Sequence, residues 1–193
     1  MRLRPRHVLA ALGVSLAGSL IAIAWPAGAG GAEACRAPEI HIYKREGALD
    51  LLCGGAVRRT MAATFGGNPV GPKEREGDQR TPEGTYRIAS KVKSDRFHRF
   101  LGVSYPNEDD RRRAAEKGIT KPGGGIGIHG TRAKLAGVAR LWTRLASAAG
   151  LAGVWGPTDG CIGVANEDVE VLFKAVPVGT KVVIAPARPA SRR

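Results

Sequence analysis

Apolar residues recur at every second position along much of this chain, the period of strands with one face buried. Glu39 to Lys44 (EIHIYK) alternates polar with apolar and predicts a half-buried strand. Glu46-Gly47 interrupts it, Leu49 to Cys53 predicts a second strand, Gly54-Gly55 a tight turn, and Val57 to Phe65 a third strand. A loop rich in Gly, Pro and charge follows from Gly66 to Glu83, then candidate strands at Thr85 to Ala89 and Leu101 to Tyr105, and a short buried one at Ile126 to His129. The period lengthens in three places. Asp109 to Lys117 predicts a charged helix, and Leu135, Val138, Leu141, Trp142 and Leu145 mark Lys134 to Ala149 as another. Asn166 is placed to cap a helix over Asp168–Lys174, with Glu167 and Asp168 favourably set in its first turn. Thr180 to Ile184 (TKVVI) predicts a last strand. The expected class is mainly β: a mixed or antiparallel sheet, sandwich-like or closed into a barrel, with peripheral helices.

The ends stand apart from this pattern. Arg2, Arg4, Arg6 and His7 precede an uncharged apolar run from Val8 to Trp25, followed by Ala27-Gly28-Ala29 and Ala32-Glu33-Ala34. That order is the order of a secretory signal; its alternative is an uncleaved N-terminal membrane anchor. Residues 1–34 are therefore set outside the fold, 35–186 form the expected domain, and 187–193 a loose basic tail.

Charge narrows the setting. The formal net charge is +13, and +11 without residues 1–34, which hold three Arg and one Glu. Such a surface suits an anionic environment, and an exported protein meets one in the periplasm or cell wall. Nucleic acid is not expected, because aromatic-basic interleaving, zinc-finger spacing and RNA-binding signatures are missing. No His/Cys/Asp cluster has metal-ligand spacing, so neither metal nor cofactor is implied. Of the three cysteines, Cys35 and Cys53 are near enough in sequence to pair, although the hairpin register does not by itself set them opposite. Cys161 is left over either way, and an odd thiol outside the cytoplasm is a candidate reactive group.

Two glycine-flanked segments carry the candidate chemistry: Gly125-Ile126-Gly127-Ile128-His129-Gly130-Thr131 and Thr158-Asp159-Gly160-Cys161-Ile162-Gly163-Val164-Ala165-Asn166. A thiol attacks only as thiolate, and its free pKa of about 8.5 leaves it mostly protonated at neutral pH. An imidazole that takes the proton activates it. Glycine beside a nucleophile lets a carbonyl approach and frees amide N–H groups for a developing oxyanion, here those of Gly160 and Cys161. Composition and spacing alone leave an inert packed cysteine and a satisfied core histidine open as readings.

These segments resemble the active-site motif of the L,D-transpeptidase catalytic domain, the YkuD-like family, in which His-Gly precedes a Ser/Thr-x-Gly-Cys segment. Gly77-Asp78-Gln79-Arg80-Thr81-Pro82-Glu83-Gly84-Thr85-Tyr86 resembles the family's entry into a core strand. Phe97-His98-Arg99-Phe100-Leu101-Gly102-Val103-Ser104-Tyr105-Pro106-Asn107 and Asp159–Asn166 resemble its YafK-like subgroup. The likeness covers about residues 38–186. Gly163 stands where many members carry Arg, and Asp159 where many carry Ser or His. The resemblance implies an exported enzyme with Cys161 as nucleophile and His129 as base, acting on peptidoglycan stem peptides through a thioester. The product is a cross-link when an amine, on a neighbouring stem or a wall-attached protein, accepts the acyl group. It is hydrolysis, by an L,D-carboxypeptidase or amidase-type enzyme, when water accepts it. A backbone carbonyl is expected to orient His129. Gly130, Thr158, Asp159, Tyr105 and Trp155 are candidate substrate contacts, with core packing the competing role for Tyr105 and Trp155. A non-catalytic basic wall-binding module is the alternative of another class.

Overall fold

The computed structural model describes residues 35–131 and 158–190, all within one compact unit, Ala34–Arg193. The N-terminal apolar run, the Lys134–Ala149 helix and Trp155 lie outside the described residues.

Eight strands follow one another as β1 (Pro38–Tyr43), β2 (Ala48–Cys53), β3 (Ala56–Ala62), β4 (Gly84–Ser94), β5 (His98–Val103), β6 (Gly127–His129), β7 (Ile162–Gly163) and β8 (Lys181–Ala185). Helix α1 (Glu108–Glu116) lies between β5 and β6, and α2 (Asn166–Ala175) between β7 and β8. The strands form one mixed sheet in the order β3-β2-β1-β8-β4-β5-β6-β7. Pairing is antiparallel except at β1/β8 and β6/β7. The sheet curls: just past β3, Thr64 bridges to Gly163 of β7 at the opposite edge, each donating its N–H to the other's carbonyl, at 2.9 and 3.0 Å.

Alternation explains the inner face. Ile40 and Ile42 of β1 are fully buried, with Leu49 and Leu51 of β2 and Val182 and Ile184 of β8 against them. Each such side chain contributes about 1.5–3 kcal/mol by leaving water. Strand β4 joins the two halves of the sheet. It pairs with β8 through Gly84–Arg87 and with β5 through Ile88–Ser94, with a register shift between Ile88 and Ser90. Helix α2 buries Val169 and Leu172 and packs on β5 and β6.

Several boundaries differ from the sequence expectation. Strand β4 runs five residues past Ala89, because its outer half is held by β5; Val92 there is exposed and Lys91 reaches over the Phe173 ring to the Val176 carbonyl, so the segment shows no apolar alternation. Strand β5 starts at His98 rather than Leu101, its polar first residues tied to α2 by Glu170. Asn166 does not cap α2; Ala165 holds that position without a side-chain cap bond. The Asn166 carboxamide instead accepts the Thr131 N–H at 2.8 Å, a long-range donor that wins over the local one. Cys35 and Cys53 form a disulfide, set by β1 pairing Pro38 with Cys53. The start of the expected loose tail is tied down, since Arg188 pairs with the fully buried Asp50 carboxylate and lies 4.3 Å over the Tyr43 ring.

Candidate active site

Strands β6 and β7 are three and two residues long, and their register brings the two segments together. Ile128 pairs with Ile162 and His129 with Gly163, in parallel. Carried one step back, this register sets Cys161 beside Gly127, on the face that His129 occupies, because residues two apart share a face. Ile128 and Ile162, both fully buried, anchor the pair from the other face.

His129 is buried, and its Nδ1 lies 2.7 Å from the Gly130 carbonyl. A carbonyl only accepts, so Nδ1 carries the hydrogen and Nε2 of the neutral ring is free as a base. The Phe97 ring packs against the imidazole at 4.3 Å between centroids, and Phe100 stacks at 6.2 Å with an interplanar angle of 12°. Burial lowers the His129 pKa below the ordinary imidazole value, the Gly130 carbonyl works against this, and the Arg96 charge adds to it. The ring is thus kept neutral, the form that accepts a proton.

Cys161 is the free thiol among the described residues and is half-buried. Its Sγ donates to the Gly125 carbonyl at 3.5 Å. Burial pushes its pKa up, the Gly127 N–H on the sulfur offsets part of this, the Asp159 carboxylate raises it further, and Lys73 and Arg96 lower it. The resting pair is therefore neutral thiol and neutral imidazole, and among the described residues the thiol's hydrogen bond goes to Gly125 rather than to His129.

The loop before Cys161 is shaped by a close approach. Gly160 has φ +123°, and a Cβ there would stand 2.4 Å from the Arg80 carbonyl oxygen. Thr158 closes the turn: its hydroxyl donates to the Cys161 carbonyl at 2.7 Å and accepts the Gly160 N–H at 3.3 Å. Gly163 is confined as well, since a Cβ there would lie 2.5 Å from Thr64 Oγ1 at the seam where the sheet edges meet. Any side chain at this position would first have to displace the Thr64 hydroxyl.

Other candidate contacts separate into groups. Gly130 is buried, its carbonyl engaged by His129 and its N–H by the Arg99 carbonyl at 3.4 Å, so its backbone groups orient the imidazole and are not open to a substrate. Thr158 shapes the turn before Cys161 with both functions of its hydroxyl. The Gly160 N–H, expected in an oxyanion hole, is occupied by Thr158 in the resting site. Tyr105 is 6% exposed, packs edge-on against Tyr86 and donates to the Pro122 carbonyl at 3.0 Å; it belongs to the core, not to a groove. Asp159 is exposed beside the thiol. Asp78 is structural: it accepts from Lys73 Nζ at 2.8 Å and from the N–H groups of Glu74, Arg75 and Arg80, which hold its carboxyl at about 2.

Sequence reasoning missed Phe97 and Phe100 as walls of the imidazole and Asn166 as the latch on the segment after His129. The three-residue spacing of Phe97 and Phe100 was the available signal. Nothing local to Asn166 points to a partner 35 positions away.

The YkuD family model, described as the L,D-transpeptidase catalytic domain, matches residues 37–184. The chain is 32% identical over 85 residues to YafK of Escherichia coli (strain K12); the match takes in 40% of this chain and 34% of that protein. This chain thus aligns with about a third of the length of that curated relative. Two solved structures share the fold. The helical cell shape determining protein Pgp2 of Campylobacter jejuni has a TM-score of 0.57 at 21% identity, over 79% of this chain and 49% of that one. The L,D-transpeptidase of Xylanimonas cellulosilytica has a TM-score of 0.51 at 15% identity, over 79% and 62% respectively.

Proposed function

This chain belongs to the YkuD family of L,D-transpeptidase catalytic domains, and we propose that it is an exported enzyme that transfers acyl groups of peptidoglycan stem peptides through a thioester on Cys161. The observation that carries this reading is the β6/β7 register, which supports a half-buried thiol and a neutral, carbonyl-oriented imidazole acting on one face of the sheet. In the proposed reaction His129 Nε2 takes the thiol proton as sulfur attacks the carbonyl of the third stem residue, an L-centre. The tetrahedral oxyanion is met by the Cys161 N–H, and by that of Gly160 once it exchanges the Thr158 hydroxyl for the oxyanion; each such donor contributes about 3 kcal/mol. Collapse forms the thioester and breaks the C–N bond, and His129 returns its proton to the departing amine of the D-residue. An incoming amine then attacks the thioester, loses its proton to His129, and restores the thiol. The exposed Asp159 carboxylate suits an approaching ammonium group.

Export is supported by the basic-apolar N-terminal sequence and by the Cys35–Cys53 disulfide, a bond that persists in oxidising compartments such as the periplasm. Water as acceptor is the second reading, implied by the resemblance of Asp159–Asn166 to the YafK-like subgroup. The test is to incubate purified peptidoglycan with the protein and weigh the released fragments. New cross-links between third residues, or between a stem and a protein, mean transfer; shortened or detached stems mean hydrolysis. Fragments identical to those of the Cys161→Ala control would overturn both.

A further inference from the structure

A second charged group looks onto the site from the turn joining β4 to β5. Residues Asp95–Phe97 form that turn, and Ser94 Oγ accepts the N–H groups of Arg96 at 3.2 Å and Phe97 at 3.1 Å. Its base is tied to α2, where Glu170 pairs with His98 at 2.9 Å and with Arg99 at 2.8 Å. The tip is thereby held over the site: Phe97 lies against the His129 ring at 4.3 Å, and the Arg96 guanidinium lies 4.9 Å over the Phe97 ring. Arg96 is exposed, and among the described residues no carboxylate pairs with it. The nearby cations Lys73 and Arg99 differ, since each is already paired, with Asp78 and Glu170.

A guanidinium stacked on an aromatic face keeps its N–H edge open and has lost part of its rotamer freedom beforehand. That is the arrangement for two-point recognition of a carboxylate. Asp159 and Arg96 act on the Cys161 thiol in opposite senses. The cation is thus free to meet an acidic group of a substrate, and the anion an amine. We propose that Arg96 is a specificity-determining residue that binds a free carboxylate flanking the scissile amide, from a hairpin tip held over His129. The proposal rests on the stem-peptide reading above and names the substrate group this site selects. Two sources present that chemistry: the terminal α-carboxylate of the departing D-residue, and a side-chain carboxylate on the third residue.

The experiment compares three synthetic stem tetrapeptides: the free acid, the form amidated at its C-terminus, and the form amidated on the third side chain. Binding is measured by calorimetry to Cys161→Ala protein with and without Arg96→Gln, and turnover on proteins that keep the cysteine. Arg96→Gln weakens binding of the free acid about ten-fold and raises KM with little change in kcat, as expected for one solvent-accessible charged contact. Arg96→Lys restores part of the affinity. The amidated peptide that has lost the recognised carboxylate binds both proteins equally, which identifies the source. Equal affinity for the free acid with and without Arg96→Gln, an equal loss on all three peptides, or no binding by the protein that keeps Arg96 would overturn the proposal. Failure of the Cys161 reading has a different signature: Arg96-dependent binding with no turnover by the protein that keeps its cysteine.

Discussion

The two halves of the sheet solve different problems. Strands β1, β2 and β8 are five or six residues long, and their inner faces carry Ile40, Ile42, Leu49, Leu51, Val182 and Ile184 at close to zero exposure. Even a buried charge there is closed off: Lys44 donates to the Gly71 and Thr81 carbonyls and to Glu83. Strands β6 and β7 have three and two residues and are rich in glycine; β6 ends on a buried imidazole, and β7 directly follows a half-buried thiol. The first half stabilises through area removed from water. The second adds fewer buried side chains, Ile128 and Ile162 among them, and sets His129 and Cys161 on one face, held by the seam to Thr64, by α2 and by the Phe97 tip.

That division is open to attack from both sides. The largest effect is expected at the site: His129→Ala slows thioester formation by roughly 10²–10⁴, the usual contribution of a general base, while cooperative melting persists. In the wild type the acid limb of that rate has its midpoint below the free imidazole value of about 6.5, because burial lowers the His129 pKa. A midpoint above it would mean that the ring is not held neutral. Next, Leu49→Ala in the first half costs about 3 kcal/mol of unfolding free energy, as a truncated and fully buried leucine does, with the rate per folded molecule unchanged. Chemical denaturation with activity normalised to folded protein checks both parts. Smaller still is Asp78→Asn. The Asp78 carboxyl is held at about 2, below its unfolded value of 3.8, so its stabilisation of about 2 kcal/mol is present above pH 4 and is lost as pH falls through 2. The stability gap between wild type and the Asp78→Asn variant should therefore be full at pH 7 and close toward pH 2; a gap independent of pH would contradict the ion-pair account.

The same division governs what the sequence reveals. The inner strands are legible because alternation over five or six residues is a strong signal; Glu39–Lys44 needs nothing else. The chemical candidates are legible for another reason, since glycine-flanked His129 and Cys161 form a motif even though β6 and β7 are too short to show a period. What lies between the motifs is not legible locally. Asn166 reads as a cap because helix starts favour Asn, and only the fold offers it the Thr131 N–H. Tyr105 reads as a groove wall or, more readily, as core, and Tyr86 and the Pro122 carbonyl enclose it as core. Arg96 lies in a charged stretch with no pattern of its own, and its place beside the site follows from the β4/β5 register and the Glu170 tether.

The central claim, that Cys161 carries the acyl group, is tested most directly by trapping. The protein is mixed with a stem tetrapeptide, quenched in acid within the first turnovers, and mapped by mass after proteolysis. The account predicts an adduct on the peptide containing Cys161, equal to the tetrapeptide less its terminal D-residue, labile to hydroxylamine and missing in Cys161→Ala. An adduct on another residue, or turnover with Cys161 never modified, would contradict it.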